Sequence, residues 1–198
     1  SVLSLISEIQ APEIDMNGLT KIISRDPALS YKLLKLINSA AFKRGNTIDS
    51  IHKAVTLLGI EKIKSWASLL ALSKLDDKPE SLHYIALVRA LMCEKLAEFI
   101  QLDSKDRFYT VGLLSCLDAF FDQELTEVIK HISLDKAIND ALVSYQGNAG
   151  LALHTTLNFE KSQWHKIKWN ELSKYELSVK LINEIYFDAT RLALEMSS

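Results

Sequence analysis

The chain is poor in the residues that cross-link or interrupt a fold: its 198 residues include two cysteines, three prolines and six glycines. Cys93 and Cys116 sit inside apolar helical patterns with no CxxC spacing, so both read as reduced, buried thiols of a cytosolic protein. No apolar run approaches the roughly 20 residues that a membrane helix needs, and no charged, apolar and cleavage pattern marks a signal peptide. No membrane is therefore expected as a partner, and the chain reads as soluble. Positive charge is scarce as well. With 23 lysines and arginines against 25 acidic residues and an isoelectric point near 6.2, the chain lacks the cationic excess on which nucleic-acid binding depends. Familiar catalytic spacings are missing too: the five histidines form no HxxxH or HExxH pair, and there is neither a G-x-S-x-G elbow nor a G-x-x-x-x-G-K-[ST] phosphate loop.

What is present is helical pattern. The 48% hydrophobic content supplies a core, and a chain of this length buries about 70% of its unfolded surface. No strand-like alternation of useful length appears. The prolines and glycines fall at boundaries: Pro12 after a first helix, Pro79 before a long Glu80 to Ile100 segment, and Gly147 and Gly150 around a later break. Punctuation is clearest between Asp26 and Trp66. Asp26 caps a helix start, and Pro27 fits the first turn, where its missing N–H costs nothing. Around Leu33, the residues Leu29, Leu36, Ile37 and Ala40 form a core-facing stripe, while Tyr31, Lys35 and Asn38 gather on the opposite side. Ser50 starts a second helix with Ile51, Ala54, Val55 and Leu58 at i, i+3, i+4 and i+7, and Gly59 supplies the left-handed residue that closes it. Glu61 opens a third. This pair resembles a DNA-reading helix-turn-helix only superficially, because its second helix carries lysines but none of the Arg, Asn or Gln side chains that read base edges.

The helical reading continues to the C-terminus. In the long segment, Leu82, Ile85, Ala86, Val88, Leu91, Met92, Leu96 and Phe99 maintain an apolar face. Asp103 or Ser104 begins a helix carrying Phe108, Val111, Leu114 and Leu117. Shorter helices are expected over Leu125 to Ile132, Leu134 to Ser144 and Leu151 to Phe159, with a long final one from Ser173 to about Met196. Leu33, Leu58, Trp66, Leu114 and Leu117 centre these faces and should be buried. The fold class is all-α.

Several of these segments resemble a known family. DPALSYKLLKLINSAAF followed by the Ala54-x-x-Leu57-Leu58-Gly59 turn is similar to the opening of an HDOD domain, a bacterial signalling module related to the HD metal-dependent phosphohydrolases. KPESLHYIALVRALMCEKLAE and GLLSCLDAFF resemble the variety found C-terminal to EAL domains, the cyclic-di-GMP phosphodiesterase fold. Phe159-Glu160 and Trp164 resemble its closing motif. The resemblance implies one multi-helix HD-like domain over residues 1–165 and a C-terminal helical extension over 166–198 packing on it.

HD phosphohydrolases need a histidine, a consecutive His-Asp pair and a later Asp, so that imidazole and carboxylate ligands converge on one or two cations that activate water. Where those enzymes resemble GLLHDIG, this chain reads Gly112-Leu113-Leu114-Ser115-Cys116-Leu117-Asp118. Ser115 replaces the histidine and Cys116 the aspartate. Ile85 to Arg89, where the first histidine is expected, contains none, and His83 is the nearest candidate. Asp118 lies two residues past the replaced aspartate, about 200° away on a helix, and is expected at a cap or at the surface. The resemblance then implies a vestigial site at Ser115, Cys116 and Asp118 with no metal, no cofactor and no enzymatic activity. An HD-type phosphohydrolase with displaced ligands and a small-molecule sensor using the vestigial cavity are the competing readings.

Two further groups are candidate contact sites. Tyr31, Lys35, Asn38 and Ser39 close the first part of the HDOD-like opening. The Asn38 amide is expected either to satisfy backbone groups freed at this helix end or in the Arg44-Gly45-Asn46 loop, or to join Tyr31 and Lys35 in a recognition strip. In FEKSQWHKIKW, Trp164 and Trp169 are five apart and share no helical face. They imply a turn pinned by one buried indole, or a partner surface. The sequence begins at Ser1 and runs straight into Val2, Leu3, Leu5 and Ile6, as a piece of a longer polypeptide would. The whole reads as a non-catalytic signal-transduction module, the C-terminal regulatory part of a cytoplasmic EAL-HDOD protein whose partner is another protein or the EAL domain upstream.

Overall fold

The computed structural model of the chain describes residues 1–39 and 47–197, and every regular element among them is a helix. Ala40, Phe42 and the Arg44-Gly45-Asn46 loop, all named in the sequence reading, lie outside the described residues. The chain forms two compact units, Ser1–Asp76 with Ile129–Asp135, and Asp77–Val128 with Lys136–Ser198.

The first unit holds α1 (Val2–Gln10), α2 (Met16–Ser24), α3 (Pro27–Ile37), α4 (Ile51–Leu58) and α5 (Ile60–Leu72). Its helix starts are closed by short polar side chains. Asp26 accepts from the Leu29 amide at 3.0 Å and Ser50 from that of Lys53 at 3.2 Å, each satisfying one of the free N–H groups of a first turn. Gly59 ends α4 at a φ of 87°, a conformation that costs a side-chain-bearing residue energy, and α5 begins at once. Ile6, Ile9, Leu19, Ile23, Leu29, Leu33 and Ile63 are fully buried. In α5 the six residues from Ile63 to Ser68 are all buried, Lys64 included, so the helix that resembled a recognition helix is spent on packing. Lys64 Nζ donates to the Ala11 carbonyl at 3.1 Å and Gln10 Nε2 to Ser68 Oγ at 2.9 Å, which ties the end of α1 to α5. Leu36 and Leu58 depart from expectation and are only half-buried. Leu58 is the last residue of an eight-residue helix whose buried side chains, Ile51, Ala54 and Val55, belong to the turns before it.

The second unit is arranged around α6 (Glu80–Ile100), against which α7 (Lys105–Leu114), α11 (Gly147–Glu160) and α13 (Val179–Ser197) pack. The remaining helices are α8 (Leu117–Phe121), α9 (Leu125–Ile129), α10 (Lys136–Ser144) and the single turn α12 (Trp169–Leu172). Because α6 has neighbours on several sides, its buried residues do not follow one stripe. Ala86 to Val88 and Ala90 to Cys93 are buried, whereas Ile85 and Phe99, assigned to the apolar face, are 39% and 43% exposed. The helix expected to carry both Phe108 and Leu117 is broken at Ser115-Cys116, and Leu117 opens α8. The final helix starts at Val179 rather than Ser173, because Glu176 adopts a left-handed conformation at a φ of 60°. Gly147, at a φ of 72°, opens α11 just after the break at Tyr145-Gln146, while Gly150 lies inside the helix. Tyr84 Oη donates to the Thr190 carbonyl at 3.2 Å, which fastens α13 to α6. No helix among the described residues is long and apolar enough to cross a membrane.

Candidate functional site

Gly112 sets the geometry around Ser115 and Cys116. A Cβ at this position would lie 2.5 Å from the Arg89 carbonyl oxygen and 2.8 Å from the Ala90 Cα, so α7 touches the backbone of α6 at a distance only glycine permits. Three residues later α7 ends, and Ser115 Oγ donates back to the Gly112 carbonyl at 2.7 Å. That close approach brings Ser115 to Arg89, whose Nη1 lies 3.4 Å from the serine Oγ and 3.5 Å from its carbonyl oxygen. From the other side, the last residue of α11 completes the cluster. Glu160 accepts from Arg89 Nε at 2.8 Å and from Nη2 at 2.7 Å, a two-pronged ion pair with side chains 16% and 26% exposed. One turn further along α6, Cys93 Sγ lies 3.5 Å from Thr156 Oγ1 of α11.

The electrostatics follow from burial. Desolvation works against the charged guanidinium, but the Glu160 hydrogen bonds and charge outweigh it and hold Arg89 above its ordinary pKa. Burial pushes the Cys116 thiol up to about 11, with Arg89 opposing the rise, so it stays protonated at neutral pH. Of the positions the HD resemblance singles out, Ser115 and Cys116 are buried at the break between α7 and α8. Asp118 is exposed and accepts from the Ala119 amide at 2.8 Å. His83 packs edge-on against Phe120 with ring centroids 5.1 Å apart, and burial lowers its pKa against the pull of Glu80. A metal ion does not fit this donor set. Its members are a hydroxyl engaged with a carbonyl, a protonated thiol, a permanent cation and one carboxylate already paired, whereas metal ligands are deprotonated donors with free lone pairs. Among the described residues no group of three or more His, Cys, Asp and Glu side chains is placed to hold a metal. A cleft of about 320 Å³ opens elsewhere in this unit, lined by Arg107, Asp140 and Asn148 and by none of the vestigial-site residues.

Arg89 and Glu160 are the residues that sequence reasoning missed as a pair. The signal was an arginine flanked by Leu87, Val88, Ala90 and Leu91 in an apolar helix, since a charge at such a position needs a buried partner.

At the other candidate sites the structure separates exposed from anchored side chains. Tyr31 is 68% exposed and Lys35 is exposed, while Ser39 is half-buried. Asn38 caps α3. Its Nδ2 donates to the Leu34 carbonyl at 2.8 Å and to that of Ile48 at 2.7 Å, and its Oδ1 accepts from the Ile48 amide at 2.8 Å. In the FEKSQWHKIKW segment the buried anchor is Ile167, 4% exposed, rather than an indole. Trp164 is 41% exposed and rests edge-on against Phe159 with centroids 4.8 Å apart, and half-buried Trp169 donates from Nε1 to the Trp164 carbonyl at 3.0 Å. Phe159, at the start of the segment, is buried as well, at 7% exposed.

Comparison with known proteins places this geometry in context. The HDOD domain family model matches residues 1–168. The Bacillus subtilis protein YuxH is 29% identical across 89% of this chain and 44% of its own length. The Vibrio cholerae cyclic di-GMP phosphodiesterase CdgJ is 28% identical across 84% of this chain and 39% of its own length. The chain thus spans less than half the length of these curated relatives. Among solved structures, a Marinobacter aquaeolei protein classed with signal transduction superimposes with a TM-score of 0.63 at 15% identity, over 100% of this chain and 59% of the other. A Shewanella amazonensis protein classed as a metal-dependent phosphohydrolase gives 0.60 at 14% identity, over 100% of this chain and 90% of the other. At such identities the structural likeness is one of fold. The expectation that the chain stands outside enzymes is nevertheless corrected by the name of one relative, which is that of a phosphodiesterase. The Ser115-Cys116 pair, matched to the His-Asp position by resemblance alone, bears on one metal-centred mechanism and is no argument against activity by other groups. With its helical fold and with 168 residues matched by the family model, the chain belongs to the HDOD family, a signalling branch of the HD superfamily.

Proposed function

We propose that this chain is the regulatory part of a cyclic-di-GMP phosphodiesterase of the EAL-HDOD kind, and that it acts on the rest of that polypeptide through surface contacts in the bacterial cytoplasm. The observation that carries the reading is the match to CdgJ, in which this chain corresponds to 39% of a protein named for cyclic-di-GMP hydrolysis. The domain proper is residues 1–165, and residues 166–198 are its helical extension. Two surfaces support a contact role. On α3, Leu29, Leu33 and Ile37 are buried while Tyr31 and Lys35 point outward, and in the second unit Trp164 stands partly exposed. Tyrosine and tryptophan anchor protein interfaces well, since each buries a large rigid surface at a small cost in side-chain entropy.

The test is cyclic-di-GMP hydrolysis by the full-length polypeptide. The Tyr31→Ala/Lys35→Ala double variant and Trp164→Ala are compared with the unaltered protein. Regulation through either surface changes turnover several-fold while the melting temperature stays where it was. Equal turnover in all three proteins overturns the reading.

A further inference from the structure

The HD resemblance calls for a metal ion where the Ile85–Arg89 part of α6 meets the end of α7, and the side chains found there disagree with it. We infer that the cation at this point is the protein's own: Arg89 takes the place of the metal and joins the three helices, and the chain takes no divalent ion there. The geometry carries the argument. Arg89 reaches across to Glu160 with two short hydrogen bonds, at 2.8 and 2.7 Å, and faces Ser115 at 3.4 Å, so one guanidinium bridges a residue from each neighbouring helix. A metal ion in an HD enzyme performs that bridging with coordinate bonds. A guanidinium suits the exchange because it is planar, always charged and weakly hydrated, and its fork matches a carboxylate. Glu160 is the carboxylate hydrogen-bonded to Arg89, which already neutralises it, while Asp118 acts on Arg89 and Cys116 through its charge from an exposed position, its Oδ1 engaged by the Ala119 amide. A divalent ion would have to enter beside a fixed positive charge, with Ser115, Cys116 and the exposed Asp118 left as donors. Coulomb repulsion at such a separation, in partly desolvated surroundings, opposes its entry. The close contact at Gly112 holds the arrangement in place, because the backbone of the same Arg89 is the surface on which α7 rests. This inference stands on the second unit alone and is independent of any role in cyclic-di-GMP turnover.

The experiment has two arms, both on the whole chain. In the first, chelator-treated protein is titrated with Mn²⁺ and Zn²⁺ by calorimetry and by melting. The expected result is no stoichiometric binding and no saturable rise in melting temperature. One ion bound per chain, and lost in Glu160→Gln, would overturn the inference. The second arm is a double-variant cycle of Arg89→Met and Glu160→Gln. Arg89→Met leaves a carboxylate unpaired and should lower the melting temperature by about 5 °C. The double variant should lose clearly less than the sum of the two single losses. Additive losses would show that the two side chains do not act as a pair, and the inference would fall. Should Arg89→Met not fold, the double variant, which buries no unpaired charge, and the metal titration of the unaltered chain still decide the matter.

Discussion

At the scale of single residues, Asn38 shows how a polar side chain placed away from the core centre still determines structure. It ends α3 and makes three hydrogen bonds, two of them a paired exchange with the backbone of Ile48, ten residues further on. Asn38→Ala would leave the Ile48 amide and carbonyl without that partner and should cost about 1 to 3 kcal/mol in denaturant unfolding. Tyr31→Ala, at a site 68% exposed on the same helix, should leave the unfolding midpoint almost unchanged. Asp26 carries a further charge effect. The Lys74 ammonium, which donates to its carboxylate, and then the Leu29 amide hold its pKa below the ordinary 3.8. A depressed carboxylate pKa contributes stability above the unfolded value, and that contribution is lost as the pH falls through the folded one. Asp26→Asn keeps a good N-cap and removes the charge. It should therefore melt below the parent at pH 7 by the equivalent of at most about 1 kcal/mol, and the gap should close as the pH drops below about 4. An equal gap at pH 7 and pH 3 would count against the ion pair.

At the scale of elements, the contact between α6 and α7 is the most demanding in the second unit. Adding a methyl group at Gly112 forces it against backbone atoms at 2.5 and 2.8 Å, and backbone cannot step aside as a side-chain tip can. Gly112→Ala should lower stability by about 1 to 3 kcal/mol through overpacking, despite alanine's better helix propensity. The same substitution shifts α7 relative to Arg89, so it should also weaken the coupling between Arg89 and Glu160 in the double-variant cycle. Unchanged stability in Gly112→Ala would mean that α7 has room to move away without loss.

At the scale of the whole molecule, the two cysteines report on how completely the second unit closes. Cys93 is 0% and Cys116 1% exposed, and burial pushes their thiols up to about 12 and about 11. Thiolate is the reactive form, so an aromatic disulfide reagent at pH 8 should modify neither in the native protein and both after unfolding in guanidinium. Rapid native reaction at either thiol would reveal opening around α6 on a short timescale. The slow rate of modification then measures the opening free energy, and Arg89→Met should raise that rate.

The sequence by itself determined the local features: that the chain is helical, where Asp26 and Ser50 cap helices and Gly59 ends one, and that Leu29, Leu33 and Ile37 of α3 face inward. These rest on interactions within one or two turns, so neighbouring residues carry the information. The long Glu80–Ile100 helix was legible for the same reason, while its exposed Ile85 and Phe99 were not, because packing on several sides replaces one stripe by a pattern that depends on which helices arrive. The break at Ser115-Cys116 lay hidden, as both residues continue a helical pattern and the close contact at Gly112 is invisible in one dimension. The candidate site was legible only in part. Ser115 and Cys116 were identified by resemblance, but the residue that fills the space beside them was not. Arg89 and Glu160 lie 71 positions apart in the chain, and no local rule links an arginine in one helix to a glutamate at the end of another. Only the convergence of α6, α7 and α11 decided that they meet, for a buried charge chooses its partner by distance in the folded protein.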